Sequence, residues 1–193
     1  MRKNLILYGN GGHLNSVIDV VESNNKFKIY KIIDDKLNNE KKKYKSALSK
    51  EFLKKEKRNK NIHISFASIY KLGRRGILYK KLKNNKFNFP VIKSNMSYIA
   101  KDTKVLAGTI IMHNAFINSG CKIGENVVVN TNALIEHDVV IGFNSHISTG
   151  TIINGGVKIG KNCFIGSGSV LKENINISDN SFINMGSIVT KNV

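Results

Sequence analysis

The second half of the chain carries an aliphatic residue at every sixth position. The run begins at Ile99, ends at Val189 and comprises 16 consecutive positions that hold Ile, Val or Leu. These three residue types make up 52 of the 193 residues, so chance would give such a run in a fixed frame about once in a billion sequences. A period of six fits neither an α-helix, with its period of 3.6, nor a single strand, with its period of 2.

A period of six predicts a parallel β-helix, in which each six-residue unit forms one short strand and one corner. Small or polar residues follow the aliphatic positions, as in Gly124-Glu125-Asn126, and Gly and Asn tolerate the left-handed backbone angles of tight corners. Three units make a triangular coil of about 18 residues, so residues 96–193 would form about five coils. A β-sandwich with coincidental spacing is the alternative. Because a coil stack exposes its ends and faces, we expect a homo-oligomer.

The first half, residues 1–95, predicts a small α/β domain. A short apolar run ends at Tyr8, a Gly-rich turn covers Gly9 to His13, and apolar residues at helical spacing follow. This order is similar to a mononucleotide-binding βαβ unit, in which the amides of a helix N-terminus favour phosphate. Leu14 replaces the third glycine of the dinucleotide fingerprint, so a tight structural turn is the alternative. The predicted elements are strands over Leu5–Tyr8, Phe27–Ile33 and Ile62–Phe66, a helix that begins near Leu14 and a helix over Ile69–Leu82.

Positive charge is concentrated in the α/β half. The chain holds 31 Lys+Arg and 13 Asp+Glu, a net charge of +18. Residues 1–98 contain 24 basic and 7 acidic residues, whereas residues 99–193 contain 7 and 6. The excess lies mostly in Glu40–Lys60 and Lys71–Lys86, which offer few aromatic side chains for stacking on bases. A solvated surface is favoured over attraction of a small anionic substrate, and no nucleic-acid partner is expected.

No sequence feature predicts export or membrane insertion. No apolar run approaches the roughly 18–20 residues that span a bilayer, and only four apolar residues lie between the basic N-terminus and Gly9. Cys121 and Cys163 form no metal or redox spacing. We therefore expect a cytoplasmic protein with reduced cysteines.

The chain resembles a family of bacterial sugar acetyltransferases, the sialic-acid O-acetyltransferases and UDP-4-amino-sugar N-acetyltransferases. The resemblance covers nearly the whole chain and is carried by Tyr8-Gly9-Asn10-Gly11-Gly12-His13, by Ile33-Asp34-Asp35 and by the segment from Asn130 to Gly142. It implies a Rossmann-like βαβ subdomain followed by a left-handed parallel β-helix of hexapeptide repeats. It also implies a homotrimer, with acetyl-CoA bound between adjacent subunits, a UDP- or dTDP-linked amino sugar as acceptor, and no metal.

The resemblance assigns roles to five residues of the β-helix. It implies that His137 is the general base and that Asp138 is its carboxylate partner. Asn130 matches a residue near the acceptor sugar, and His146 and Gly155 match residues that contact the acetyl donor. His137 and Gly155 are one coil of 18 residues apart, which would leave a gap for the pantetheine arm beside the imidazole. His137 and His146 are half a coil apart, so we expect them to meet only across a trimer interface.

In the α/β domain the resemblance implies a nucleotide-sugar site. Gly11, Gly12 and His13 would hold the diphosphate, and Asp34 and Asp35 would line the nucleotide site. The resemblance therefore implies acetyl transfer from acetyl-CoA to the amino group of a nucleotide-linked 4-amino-4,6-dideoxy sugar. A neutral histidine accepts a proton near pH 7, and we expect direct attack by the acceptor, because both cysteines occupy structural hexad positions.

Several alternatives remain open at this stage. His137 and His146 could be structural histidines satisfied by hydrogen bonds. O-acetylation of sialic acid or a related sugar would use the same base. A zinc-dependent lyase similar to the γ-carbonic anhydrases could use His113, His137 and His146 across an interface; His113 stands where the family more often has proline. A non-catalytic scaffold that binds sugar nucleotides is the last alternative.

Overall fold

The computed structural model describes residues 1–36, 44, 46–56, 60–67 and 72–193. An N-terminal α/β domain precedes a stack of parallel two-residue strands, and the stack begins at Ile92, just before the boundary predicted at residues 95 and 96. This architecture confirms the predicted fold class, a Rossmann-like subdomain followed by a left-handed β-helix.

The α/β domain is a four-stranded parallel sheet with the strand order β3-β2-β1-β4. The predicted strand, Gly-rich turn, helix and strand are all present at its start. Its elements are β1 (Lys3–Tyr8), α1 (His13–Ser23), β2 (Phe27–Asp34), β3 (Ser46–Leu48), α2 (Ser49–Lys55), β4 (Ile62–Ile64) and α3 (Leu72–Asn84).

Two of these elements were not predicted. β3 and α2 lie in the basic stretch Glu40–Lys60, for which the sequence favours a solvated surface over attraction of an anionic substrate. Residues 40–43, 45 and 57–59 of that stretch lie outside the described part of the chain. The short β3 and α2 give no extended apolar period, and β3 forms because it adds a parallel edge to β2. The helix predicted from Ile69 begins at Leu72 in the structure, and residues 69–71 are not among the described ones.

The strand stack has three flat faces, each a parallel ladder in which strands pair one coil apart. The covered face comprises β5 (Ile92–Lys93), β8 (Ile110–Ile111), β11 (Val128–Val129), β14 (His146–Ile147), β17 (Phe164–Ile165) and β20 (Phe182–Ile183). The apolar face comprises β6 (Tyr98–Ile99), β9 (Phe116–Ile117), β12 (Leu134–Ile135), β15 (Ile152–Ile153), β18 (Val170–Leu171) and β21 (Ile188–Val189). The lysine face comprises β7 (Lys104–Val105), β10 (Lys122–Ile123), β13 (Val140–Ile141), β16 (Lys158–Ile159) and β19 (Asn176–Ile177).

From β6 onward the second residue of each strand points to the interior, whereas Lys93 of β5 is exposed. From Ile111 to Ile183 these aliphatic side chains are between 0 and 7 % exposed and form one continuous column with the small corner residues. Full burial of one such side chain contributes about 1.5–3 kcal/mol. The six-residue period thus encodes the interior of the β-helix directly, whereas the first residue of each strand points outward and gives each face its character.

Corners repeat with the same period. Every sixth residue from Gly108 to Gly186 has a positive φ, and these 14 positions hold six glycines, seven asparagines and one aspartate, Asp138. Asn tolerates the left-handed region better than other residues that carry a β-carbon. On the edge between the lysine face and the covered face, the amides of Asn126, Asn144, Asn162 and Asn180 also hydrogen bond from coil to coil.

The α/β domain packs on the covered face. Ile92, Ile110 and Val128 point outward from the β-helix and are buried against Leu5, Leu7 and Leu14 of the domain. On one side of this interface His113 bridges Ser94 and Asp19 of α1, with contacts of 2.6 and 2.8 Å. On the other side Arg75 of α3 donates to Asn144 Oδ1 and to the carbonyl of Asn126. The domain therefore contacts two of the three edges of the β-helix.

None of the helices in the described part of the chain is long and apolar enough to span a bilayer.

Candidate active site

His137 and Asp138 form a hydrogen-bonded pair on the edge between the apolar face and the lysine face. His137 Nδ1 lies 3.0 Å from Asp138 Oδ2, and the two side chains are 63 and 71 % exposed. Neighbouring residues of a flat strand point to opposite sides, but Asp138 has φ +61°, and this corner turns its carboxylate back onto the imidazole. A carboxylate on Nδ1 holds the proton there and leaves Nε2 free to accept one.

Gly155 makes room for the imidazole one coil below. A β-carbon at Gly155 would lie 2.6 Å from His137 Nε2 and 2.7 Å from Cε1. The gap that the sequence predicts beside the imidazole is therefore filled by the His137 ring itself. Gly155 sets the position of the ring, and a role of Gly155 in binding the acetyl donor stays a prediction.

A cleft of about 410 Å³ opens above the carboxyl ends of β1 and β2 and brings together three of the predicted substrate residues, Gly11, Asp34 and Asp35. Asp34 shapes its floor, because its carboxylate accepts hydrogen bonds from the amides of Asn10 at 2.6 Å and Lys36 at 3.0 Å. A β-carbon at Gly11 or Gly12 would meet no atom within 4 Å, so the turn before α1 is open. The carboxyl edge of a parallel sheet is the usual ligand site of such domains.

Tyr8, Phe66 and Arg74 also line the cleft, although the sequence assigns them no role, and Ser49 contacts the cleft residue Asp35. Tyr8 Oη and Ser49 Oγ donate to Asp35 Oδ1 at 2.5 and 2.7 Å, and Arg74 lies 3.4 Å from Asp35 Oδ2. These hydrogen bonds, led by that of Tyr8, lower the pKa of Asp35. Burial, with the nearby carboxylate, raises the pKa of Tyr8 to about 12. The Arg74 guanidinium also lies 5.7 Å from the centre of the Phe66 ring. In the sequence, nothing marks these cleft residues except that some lie close to the Gly-rich turn or to the acidic pair Asp34-Asp35.

His13 is half-buried and is not among the residues that line the cleft. Its Nε2 is buried without a hydrogen-bond partner among the described residues, as are both ring nitrogens of His63 and Nδ1 of His146. Burial, followed by the charge of buried Arg75, lowers the pKa of His13 to about 4 and those of His63 and His146 to about 3. These four residues form the polar end of the interface between the α/β domain and the covered face.

His146 and Asn130 do not reach His137 within one chain. His146 points outward from the covered face, is 3 % exposed and lies against the Phe164 ring at 5.3 Å. Burial inside its own subunit leaves little surface for the predicted contact with the acetyl donor. Asn130 lies on the edge between the covered and apolar faces, where its Oδ1 accepts from Thr131 N at 2.8 Å. The predicted roles of both residues stay predictions.

The cleft and the His137 edge lie on different sides of the molecule. The contacts described above tie the α/β domain to the covered face and its two edges. His137 lies on the third edge. A substrate held in the cleft is therefore on a different side of the chain from that chain's own His137 imidazole.

Within the described residues there is no group of three or more His, Cys, Asp or Glu arranged to hold a metal ion.

Two protein-family models match the chain. The model described as the GMPPB C-terminal domain matches residues 93–193, and the model described as the PglD N-terminal domain matches residues 4–71. Among curated protein sequences, none matches. The two matched regions correspond to the β-helix and to most of the α/β domain.

Solved structures share the whole architecture at low sequence identity. The acetyltransferase domain of PglB from Neisseria gonorrhoeae, in complex with acetyl coenzyme A, is 18 % identical with a TM-score of 0.90, covering 100 % of this chain and 93 % of its own. A mutant of perosamine N-acetyltransferase from Caulobacter crescentus, with CoA and GDP-perosamine, is 18 % identical with a TM-score of 0.91, covering 98 and 90 %. WeeI from Acinetobacter baumannii is 17 % identical with a TM-score of 0.60, covering 98 and 92 %.

Proposed function

Because the chain belongs to the GMPPB C-terminal domain family, whose model matches more than half of it, and has the fold of sugar acetyltransferases, we propose that it is an acetyl-CoA-dependent sugar N-acetyltransferase. The acceptor is the amino group of a nucleotide-linked 4-amino-4,6-dideoxy sugar, carried on UDP or dTDP. The observation that carries the proposal is the His137–Asp138 pair on an exposed edge of the β-helix. The ligands of two similar structures, acetyl coenzyme A in one and CoA with GDP-perosamine in the other, support the two substrates.

His137 acts as the general base. The acceptor nitrogen attacks the thioester carbonyl carbon of acetyl-CoA, His137 Nε2 takes a proton from that nitrogen, and coenzyme A leaves as the thiol. Asp138 keeps the proton of the imidazole on Nδ1, so that the free lone pair is on Nε2. No covalent enzyme intermediate is needed. Cys121 and Cys163 are buried, and burial raises the pKa of both thiols, which disfavours the thiolate that nucleophilic attack requires.

The acceptor is held by the cleft of a neighbouring subunit. The amides at the start of α1 favour the diphosphate, and α1 has no side-chain cap that would compete for them. Asp35 and Arg74 present a hydrogen-bond acceptor beside a donor, which matches the edge of a nucleotide base. The cell compartment that supplies both substrates is the cytoplasm.

A homotrimer completes this site. Four outward residues of the apolar face are large and exposed in the single chain: Tyr98 (53 %), Phe116 (38 %), Ile152 (37 %) and Ile188 (78 %). A row of apolar side chains on an open face favours association, and a threefold arrangement is the closed symmetry that the resemblance implies. The apolar face borders the His137 edge, so packing of this face brings a neighbouring subunit up to the imidazole.

The experiment is free-thiol release from acetyl-CoA with four acceptors offered in parallel: UDP-, dTDP- and GDP-linked 4-amino-4,6-dideoxy sugars and free sialic acid. The proposal expects release with a nucleotide amino sugar and a loss of about 10²–10⁴-fold in kcat for His137→Ala, the usual share of general-base catalysis. Lys122→Ala, on the exposed neighbouring face, is the matched control and should keep full activity. Release with sialic acid alone would contradict N-acetylation and would favour O-acetylation instead. An unchanged kcat of His137→Ala would show that His137 is not the general base.

The zinc-lyase alternative gains no support from the geometry. Both ring nitrogens of His113 already have hydrogen-bond partners, Ser94 and Asp19, and His146 Nδ1 is buried inside its own chain. Zinc binding by these histidines would require His113 to lose its contacts with Ser94 and Asp19, and would require His146 Nδ1 to become exposed.

A further inference from the structure

A second cavity lies between α2 and α3, separate from the acceptor cleft. It has a volume of about 590 Å³, within the range of small-molecule sites. The hydrogen-bonded side chains of Tyr8 and Asp35 form the wall that it shares with the cleft. We call this cavity the α2–α3 groove.

The floor of the groove is apolar. Leu53 from α2, Leu78 and Leu82 from α3 and Phe87 line it, and the last two are 2 and 7 % exposed. The Lys60 ammonium lies 4.8 Å from the centre of the Phe87 ring, so an ammonium group already lies beside an aromatic surface here. Such a floor favours a flat or aliphatic ligand surface, because contact between the two removes apolar area from water.

The rim of the groove is basic. Lys50 and Lys54 lie one helical turn apart on α2, Lys81 lines the groove from α3, and Lys60 completes the set. No carboxylate in the described ranges forms an ion pair with any of these four lysines, and the ion pairs of those ranges involve other residues. The acidic residues of α2 and its C-terminal end, Glu51 and Glu56, line a different pocket.

Among the described residues, Asp35 supplies the one carboxylate that lines the groove, and its oxygens already have partners. Asp35 accepts hydrogen bonds from Tyr8 and Ser49 and pairs with Arg74. Four ammonium groups around a low-dielectric floor concentrate a positive potential. The groove is therefore complementary to a ligand that combines an apolar, flat portion with several negative charges.

The structure assigns the α2–α3 groove as a second nucleotide site, which takes a nucleoside bearing at least two phosphate groups. The base and ribose lie on the half-buried side chains of Leu53 and Leu78, and the phosphates bind the lysine rim. The polar wall of Tyr8, Asp35 and Ser49 at one end suits the hydroxyl and N–H groups of a nucleoside and disfavours a lipid chain. This inference does not rest on acetyl transfer, because the groove is described by its own walls and charges.

Calorimetric titration of the full chain with ADP at an ionic strength of about 0.15 M, where non-specific surface attraction is largely screened, tests the assignment. Lys54→Gln/Lys81→Gln should weaken ADP binding at least tenfold. Lys104→Gln/Lys122→Gln removes the same charge from the lysine face and should leave the Kd unchanged. Inorganic pyrophosphate should bind at least tenfold more weakly than ADP, because it lacks the nucleoside.

A further variant separates the groove from the acceptor cleft. Gly11→Glu places a carboxylate in open space at the start of α1 and repels phosphate from the cleft, so binding of ADP to the groove should persist in this variant with an unchanged Kd. The assignment is overturned if Gly11→Glu abolishes ADP binding while the Lys54 and Lys81 variant retains it. Equal affinity for ADP and pyrophosphate, or no binding of ADP at millimolar concentration, would also overturn it. None of these readouts depends on turnover, so a failed acetyl-transfer assay leaves the test intact.

Discussion

At the scale of single residues, Asp138 is the exception that marks the candidate site. Each other positive-φ position of the corner series holds Gly or Asn, so an aspartate here adds a carboxylate where an amide would serve the backbone equally well. The variant Asp138→Asn should keep the corner, because Asn occupies seven equivalent positions. It should lower kcat by about 10–100-fold with little change in KM, since it no longer holds the imidazole proton on Nδ1. Steady-state kinetics check this, and an unchanged kcat would make Asp138 structural.

Gly155 gives a second test at this scale. Its φ lies outside the left-handed region, and an added β-carbon would overlap the His137 ring at 2.6 Å. The variant Gly155→Ala should therefore displace the imidazole and reduce acetyl transfer at least tenfold, with the β-helix intact by circular dichroism. Gly73→Ala, where a β-carbon meets open space on α3, is the control and should match the wild type. Full activity of Gly155→Ala would mean that the observed ring position does not matter to the reaction.

At the scale of elements, the row of asparagines on the edge between the lysine face and the covered face connects the coils to one another and to the α/β domain. Asn144 is 0 % exposed, accepts from Asn126 and Arg75 and donates to Asn162, whereas Asn180 is exposed at the far end of the same edge. Both have a positive φ, so Gly relieves the same backbone strain at either position. Asn144→Gly should lower the free energy of unfolding by about 1–3 kcal/mol more than Asn180→Gly, because it leaves buried partners unpaired. If urea unfolding gives the same free energy of unfolding for both variants, the contacts of Asn144 do not stabilise the protein.

The two halves of the chain differ in how far their elements could be predicted. The interior period from Ile99 to Val189 reports directly on the β-helix, because each inward position is a buried aliphatic residue. β3 and α2 could not be predicted, since their burial comes from tertiary pairing with β2 and not from an apolar period. His137 and Asp138 could be found from the motif, but the burial of His146 could not. That burial depends on the α/β domain covering a face that is distant from it in sequence, a contact that no local pattern encodes.

At the scale of the whole molecule, the buried histidines make the docking of the α/β domain sensitive to acid. The pKa values of about 4 for His13 and about 3 for His63 and His146 lie below the 6.5 of an unfolded histidine. Below pH 6.5 these three imidazoles bind protons in the unfolded chain but stay neutral in the folded chain. The stabilisation is therefore complete above that pH and is lost as the pH falls towards 3–4, by about 1.4 kcal/mol per pH unit for each imidazole.

Urea unfolding between pH 7 and 5 measures this dependence. His63→Leu should reduce the slope of stability against pH by about one proton, because the variant removes one buried imidazole from the interface. His137→Ala removes an exposed histidine and should leave the slope unchanged. If both variants have the wild-type slope, the buried cluster is not the origin of the acid sensitivity.

Assembly can be tested with a pair of matched lysine substitutions. Ile152→Lys places a charge on the apolar face and should convert a trimer to monomers in light-scattering measurements, with loss of acetyl transfer although His137 is untouched. Val140→Lys introduces the same charge at an outward position of the lysine face and should leave both assembly and activity unchanged. A trimer that tolerates Ile152→Lys and dissociates with Val140→Lys would place the interface on the other face.

The central claim is that one active site combines His137 of one subunit with the nucleotide cleft of another. The most direct measurement mixes two inactive variants, His137→Ala and Gly11→Glu, reassembles them into mixed trimers verified by native mass spectrometry, and records coenzyme A release. Some sites in such trimers pair an intact His137 with an intact cleft, so the account predicts that activity returns. Mixed trimers that form but stay inactive would contradict it, because both functional parts would then have to come from the same chain.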